Sequence, residues 1–199
     1  YKRQVPLYRF WERLAVPFAK WTSFAGPELD TVLRIPGATA VALASAAPRS
    51  AIVNGRIRAH QLDFARGAFG EAAEGDLRIL VVHHHFIPVP GGHGGKILPG
   101  ADRLMEAIGA MGVDIVMGGH VHQLRVEERH GVPYISTGTA TSRRGRDVEA
   151  NANSFCVHRF GSDAVEVTPY LRAAGAADFE ALEVVRFPLR RLGSTAGSA

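Results

Sequence analysis

The sequence predicts an α/β fold, and three observations carry that prediction. Residues 78–82 and 114–117 are apolar runs of strand length, and the stretch from about 102 to 111 between them has helical spacing. A strand, helix, strand unit of this kind crosses over right-handedly and leaves its two strands parallel. Beyond it, short strand-like runs separated by turns indicate a meander rather than continued alternation. With 199 residues, 46% hydrophobic and 21% charged, the chain has the size and composition of one globular domain with a real core.

Taken in order, residues 1–24 mix Tyr8, Phe10, Trp11, Phe18 and Trp21 with Arg9, Glu12, Arg13 and Lys20. Phe10, Leu14, Phe18 and Trp21 recur at helical spacing, Pro17 breaks any single helix there, and the aromatics are expected to pack. Residues 39–45 and 51–53 read as strands, and Asn54-Gly55 is a turn that precedes a short amphipathic helix from about 59 to 69. After strand 78–82 comes a long loop, 83–100, holding Pro88, Pro90 and the cluster Gly91-Gly92-His93-Gly94-Gly95. Asp102 suits the positive end of the following helix and Gly112 suits its stop. Strand 114–117 closes with Gly118-Gly119, and further strands are expected at 124–129, 133–137, 154–160, 164–170 and 183–189. The domain is expected to span residues 1–189, and 190–199 to form a disordered tail.

Composition excludes several classes. No run approaches the roughly 18 apolar residues of a membrane span, so no membrane association is expected. Cys156 is the only cysteine, which rules out an internal disulfide and any site built on several thiolates; an unpaired thiol favours a cytoplasmic protein. The net charge of +4 and pI near 9.6 attract anions only mildly, and without a basic helix interleaved with aromatics no dedicated nucleic-acid binding is expected. The first residues are Tyr1-Lys2-Arg3 rather than Met, so the natural start and any signal peptide are expected upstream.

The informative feature is histidine. Of nine histidines, six (His83, His84, His85, His93, His120 and His122) fall within residues 83–122, where composition alone would put about two. The crossover supplies a reason. His83–His85 follow the carboxyl end of one strand, and His120 and His122 follow the carboxyl end of the other, so both groups lie at one edge of a parallel sheet. Neighbouring strands are about 4.8 Å apart, close enough for the imidazoles to share an ion, and ligands gather at that edge of α/β sheets. If residues 120–122 are extended, His120 and His122 point the same way, and neutral imidazole suits transition metals. His93, between glycine pairs, reads as mobile loop; His60, His130 and His158 read as surface or packing residues.

Hard oxygen ligands are missing from this segment. Asp114 opens the strand whose far end leads to His120, about 20 Å away, and Asp76 precedes its own strand, so both face the opposite edge. Asp102 and Glu106 belong to the crossover helix on the flank. Either the site uses histidine alone or the chain is part of a longer one.

Val81-Val82-His83-His84-His85, followed by Gly118-Gly119-His120-Val121-His122, resembles the calcineurin-like metallophosphoesterase superfamily. Asn54-Gly55-Arg56-Ile57 before Gln61-Leu62, Gly100-Ala101-Asp102 and Gly138-Thr139-Ala140-Thr141-Ser142 resemble its bacterial cyclic-nucleotide-phosphodiesterase-like branch, and the resemblance covers about residues 1–170. It implies the carboxyl-terminal half of a four-layer αββα sandwich, incomplete at the amino end, because Asp-x-His, Gly-Asp and Gly-Asn-His motifs do not occur. It implies a metal-dependent phosphoesterase in which a hydroxide activated by two divalent or trivalent transition-metal ions (Mn, Fe or Zn) attacks a small phosphodiester or phosphomonoester. By the same resemblance His83 and His120 bind the second metal and His122 the first, with His84 the alternative to His83; His85 stands where proline is usual. No catalytic acid or base is assigned, and the fragment alone is expected to be inactive. Arg143, Arg144 and Arg146 are either a phosphate contact or a solvated basic loop, and the loop 90–95 is expected to border the substrate cleft. The alternative function is a non-catalytic metal-binding or scaffold protein that retains the fold.

Overall fold

In a computed structural model, residues 10–48, 54–89, 96–142 and 149–189 are described. Tyr8, the strand predicted at 51–53, the loop 90–95 with His93, the arginines at 143, 144 and 146, and the tail 190–199 lie outside them. The chain opens with α1 (Phe10–Ala15) and α2 (Ala19–Ala25), interrupted at Pro17 as the ring's missing N–H requires. The expected packing is corrected for Trp11, which is 79% exposed, and for Trp21, which is exposed as well, whereas Phe18 is half-buried; the burial of Phe10 lies outside what is described.

Strand β1 (Thr31–Ile35) was not anticipated from the sequence. It forms an antiparallel hairpin with β2 (Ala38–Leu43), turning at Gly37, whose φ of 81° suits glycine. Its exposed edge position lacks the alternating burial that marks a strand in sequence. There follow α3 (Ala59–Gly70), β3 (Leu77–Val82), α4 (Ala101–Ala110) and β4 (Ile115–Gly118), which is the predicted crossover within a residue or so at each end. Asp102 sits in the first turn of α4, and Gly112, with φ 68°, ends it.

The meander reading is corrected in one respect. β5 (Arg125–Arg129) and β6 (Val132–Ser136) form a hairpin, but β6 lies parallel beside β4 and so completes the first sheet, in the order β1-β2-β3-β4-β6-β5. Only β7 (Asn153–Phe160), β8 (Ala164–Arg172), β9 (Glu180–Ala181) and β10 (Val185–Pro188) form the separate antiparallel sheet.

The layers follow from which face each strand makes apolar. On one face of the large sheet, Val41, Leu43, Leu80, Val82, Val116 and Tyr134 pack with Phe69 of α3 and Leu104 and Ile108 of α4. On the other, Ile115 and Ile135 meet Val165, Val167 and Phe187 of the small sheet. The described residues thus supply helix, sheet and sheet layers of the sandwich, α/β as predicted. The second face is only half covered: Leu33 and Ile35 of β1 and Val81 of β3 are exposed.

Candidate functional site

The parallel register of β3 and β4, with Val81 opposite Met117, ends both strands at one edge and brings the two histidine segments together. Gly119 N–H donates to the His83 carbonyl at 3.1 Å, so the segments are tied directly past the strand ends. Gly118 is required there: a Cβ at that position would stand 2.9 Å from the Val82 carbonyl oxygen. At the opposite edge, Asp114 accepts from Arg78 N–H (2.8 Å) and Asp76 from Thr39 Oγ1 (3.1 Å), where the sequence put both carboxylates.

Four imidazoles form one cluster. Ring centroids are 5.2 Å apart for His83 and His120, 5.0 Å for His83 and His84, 4.6 Å for His84 and His120, and 5.6 Å for His85 and His120. His83 is exposed, His120 and His122 are half-buried, and His84 and His85 are buried. Burial drives the His84 pKa down to about 3, with the neighbouring His120, His83 and His85 adding to the effect, so this ring is neutral.

Two features of the cluster were not legible in the sequence. The first is backbone conformation: residues 120–122 are not extended. His120 and His122 both have left-handed φ, 73° and 56°, and Val121 N–H donates to the Gly119 carbonyl at 2.9 Å. The turn drives Val121 into the core, which replaces the expected alternation of side chains. Left-handed φ at two non-glycine residues is the strain that collects at functional sites.

The second is the support behind each segment. Ser45, just past β2, is buried; its Oγ lies 2.8 Å from His84 Nδ1 and accepts the His84 backbone N–H at 3.3 Å. Gly55, φ 69°, presses on the same ring, since a Cβ there would come within 2.4 Å of Nδ1. Behind the other segment, the buried carboxylate of Glu149 accepts from the Leu124 N–H and, at 2.5 Å, from Ser154 Oγ. Isolated serines and glutamates carry no periodicity, so only the Asn54-Gly55 turn gave any signal.

The described parts of the long loop, 83–89 and 96–100, are less loose than its composition suggested. Phe86, Ile87, Val89 and Leu98 are buried, Leu98 N–H donates to the His85 carbonyl (3.1 Å), and Arg125 donates to the Pro88 carbonyl (2.8 Å). Between this loop and β4–β6 lies a cavity of about 20 Å³, lined in part by His84, His85, Val121 and Tyr134. That is room for about one water, against the roughly 300–1,000 Å³ of a substrate pocket. Burial raises the pKa of Tyr134 above that of an ordinary phenol. Elsewhere, His60 and His130 are exposed and His158 stacks on Phe160 at 6.4 Å, as surface and packing residues do. Cys156 is half-buried, and burial pushes its thiol up to about 11.

His83 and His120 are therefore brought together as predicted, and His122 stands in the same turn as His120. Among the described residues, however, no group of three or more His, Cys, Asp or Glu side chains is arranged to hold a metal ion. Among the same residues, no helix is long and apolar enough to cross a membrane.

No curated protein matches the chain. Among solved structures it is similar to Plasmodium GAP50, described as the anchor in the inner membrane complex, at 13% identity over 81% of this chain and 53% of that one, with a TM-score of 0.53. Chaetomium thermophilum Vps29 complexed with a cyclic peptide matches at 20% identity over 60% of this chain and 61% of its own (TM-score 0.42). Entamoeba histolytica Vps29 complexed with Zn²⁺ matches at 18% identity over 70% and 81% (TM-score 0.35). The chain thus spans only about half to three fifths of the first and second of these proteins. Residues 36–162 match the profile of the calcineurin-like phosphoesterase superfamily domain, and with the histidine segments at the shared sheet edge this places the chain in the calcineurin-like phosphoesterase superfamily.

Proposed function

We propose that residues 1–189 are part of a metal-dependent phosphoesterase domain that hydrolyses phosphodiester or phosphomonoester bonds of a small substrate. The observation that carries this reading is the His83–His120 pair: two rings from parallel strand ends, 5.2 Å apart at one sheet edge, with His120 and His122 held in left-handed backbone. The donor set fits a transition metal, because neutral imidazole is a good ligand for manganese, iron and zinc. In this reading His83, His120 and His122 hold the ions, and oxygen donors come from outside the described residues. Bound metal supplies Lewis acidity and positive charge toward the phosphate oxygens. The chain's own part is positional. Gly118 lets the two turns approach, Val121 pins one turn to the core, and buried His84 and His85 pack against the His120 ring.

A second reading is a non-catalytic scaffold that retains the fold. The small cavity beside the histidines and the lack of a three-ligand group among the described residues favour it. Hydrolysis of bis-p-nitrophenyl phosphate and p-nitrophenyl phosphate by the complete natural polypeptide with Mn²⁺ decides between them. The enzyme reading expects metal-dependent turnover that falls more than about 100-fold in His120→Ala, beyond the usual cost of losing a supporting contact to a ligand. No turnover with either ester and any of Mn²⁺, Fe²⁺ or Zn²⁺ leaves the scaffold.

A further inference from the structure

We propose that Ser45 is a positioning residue that fixes the buried His84 ring with Nδ1 bare and Nε2 protonated, so that His84 serves the site as a hydrogen-bond donor fitted to an anionic oxygen and not as a metal ligand. The argument is one of counting protons. A serine hydroxyl has one proton to give and two lone pairs to receive. The His84 backbone N–H can only donate, and it donates to Ser45 Oγ at 3.3 Å. The same oxygen lies 2.8 Å from His84 Nδ1. If Nδ1 carried a proton, Oγ would accept twice, and its own hydroxyl proton would be sealed in with no acceptor among the described residues.

Ser45 is 1% exposed and His84 3%, so water cannot take that proton, and burying an unsatisfied donor is costly. If instead Oγ–H donates to Nδ1, every group is satisfied. The surroundings enforce the choice. Gly55 crowds the Nδ1 edge so closely that a Cβ there would stand 2.4 Å from Nδ1, and the Arg56 N–H holds the Ser45 carbonyl at 2.8 Å. With Nδ1 engaged and Nε2 protonated, His84 has no free lone pair for a metal. The ligand from this segment is then His83, the exposed ring. The His84 Nε2–H is left for an acceptor at the cluster, where the His120 and His83 rings stand 4.6 and 5.0 Å away. An oxygen of a phosphate ester is such an acceptor. That last step rests on the phosphoesterase reading; the tautomer itself does not.

The test is a long-range proton–nitrogen correlation spectrum of the metal-free protein with ¹⁵N-labelled histidine, the His84 signals being those lost in His84→Gln. The wild type is expected to show an unprotonated Nδ1 and a protonated Nε2. Ser45→Ala is expected to give a mixture of tautomers, whereas a merely structural serine would alter stability and leave the tautomer unchanged. Should Ser45→Ala fail to fold, the wild-type spectrum decides by itself. A protonated Nδ1 in the wild type, or an unchanged tautomer in folded Ser45→Ala, overturns the proposal. So does loss of the His84 Nε2 proton on adding Zn²⁺. If Zn²⁺ perturbs none of the clustered histidines while the tautomer is as expected, the phosphoesterase reading fails and the role of Ser45 stands.

Discussion

The two histidine segments are placed by opposite physical means. His84, after β3, is held from outside by burial, by the Ser45 hydroxyl and by the crowding backbone of Gly55. His120 and His122, after β4, are held from within, by left-handed backbone dihedrals and the buried Val121 between them. Burial suits a ring that must stay neutral and fixed, with only its Nε2 edge left to the cluster. Strain suits rings that must be aimed yet remain reachable, and it costs on the order of 1–3 kcal/mol per residue. The contrast separates a ring fixed as a hydrogen-bond donor from rings able to hold a metal.

Substitutions that act on one segment alone break or sharpen this contrast. The largest effect is expected from Gly55→Ala. It imposes a side chain at φ 69° and drives a Cβ into the His84 ring, so strain and overpacking add to about 2–5 kcal/mol, measured by urea unfolding. Smaller is Glu149→Gln, which weakens the bonds to Leu124 N–H and Ser154 Oγ by about 1–3 kcal/mol. It should loosen the His120–His122 turn, read as faster amide exchange at Leu124, and leave the His84 side of the cluster unchanged. The smallest effect has the opposite sign. His122→Gly relieves left-handed strain and should raise stability by about 1 kcal/mol in thermal unfolding while weakening metal binding. If His122→Gly destabilises the protein instead, strain is not what holds that turn.

What could be read from the sequence, and what could not, divides along the same line. The crossover β3, α4, β4 was legible because apolar runs and helical spacing are local signals, and right-handed connection then fixed both histidine groups at one edge. The misplaced carboxylates Asp76 and Asp114 were legible from strand length alone. Strand β1 was not, since its exposed edge lacks period-2 burial, and neither was the parallel docking of β6 beside β4, a long-range pairing with no local mark. Within the site, residue types announced the histidines, but not the turn that replaced an extended Gly119–His122 or the anchors Ser45 and Glu149. The turn rests on left-handed dihedrals and a bond from Val121 N–H to the Gly119 carbonyl, which residue types do not announce. The anchors reach His84 and Leu124 across 39 and 25 positions of sequence.

The central claim is that the two turns make one site. Its most direct test is a double-mutant cycle on Mn²⁺ or Zn²⁺ affinity in the complete natural polypeptide, with His83→Ala, His120→Ala and both together, followed by titration calorimetry. Ligands of a shared ion are not independent, so each single substitution should weaken binding at least about 10-fold and the double should fall well short of their product. Losses that multiply, or affinity that neither substitution changes, would contradict the claim.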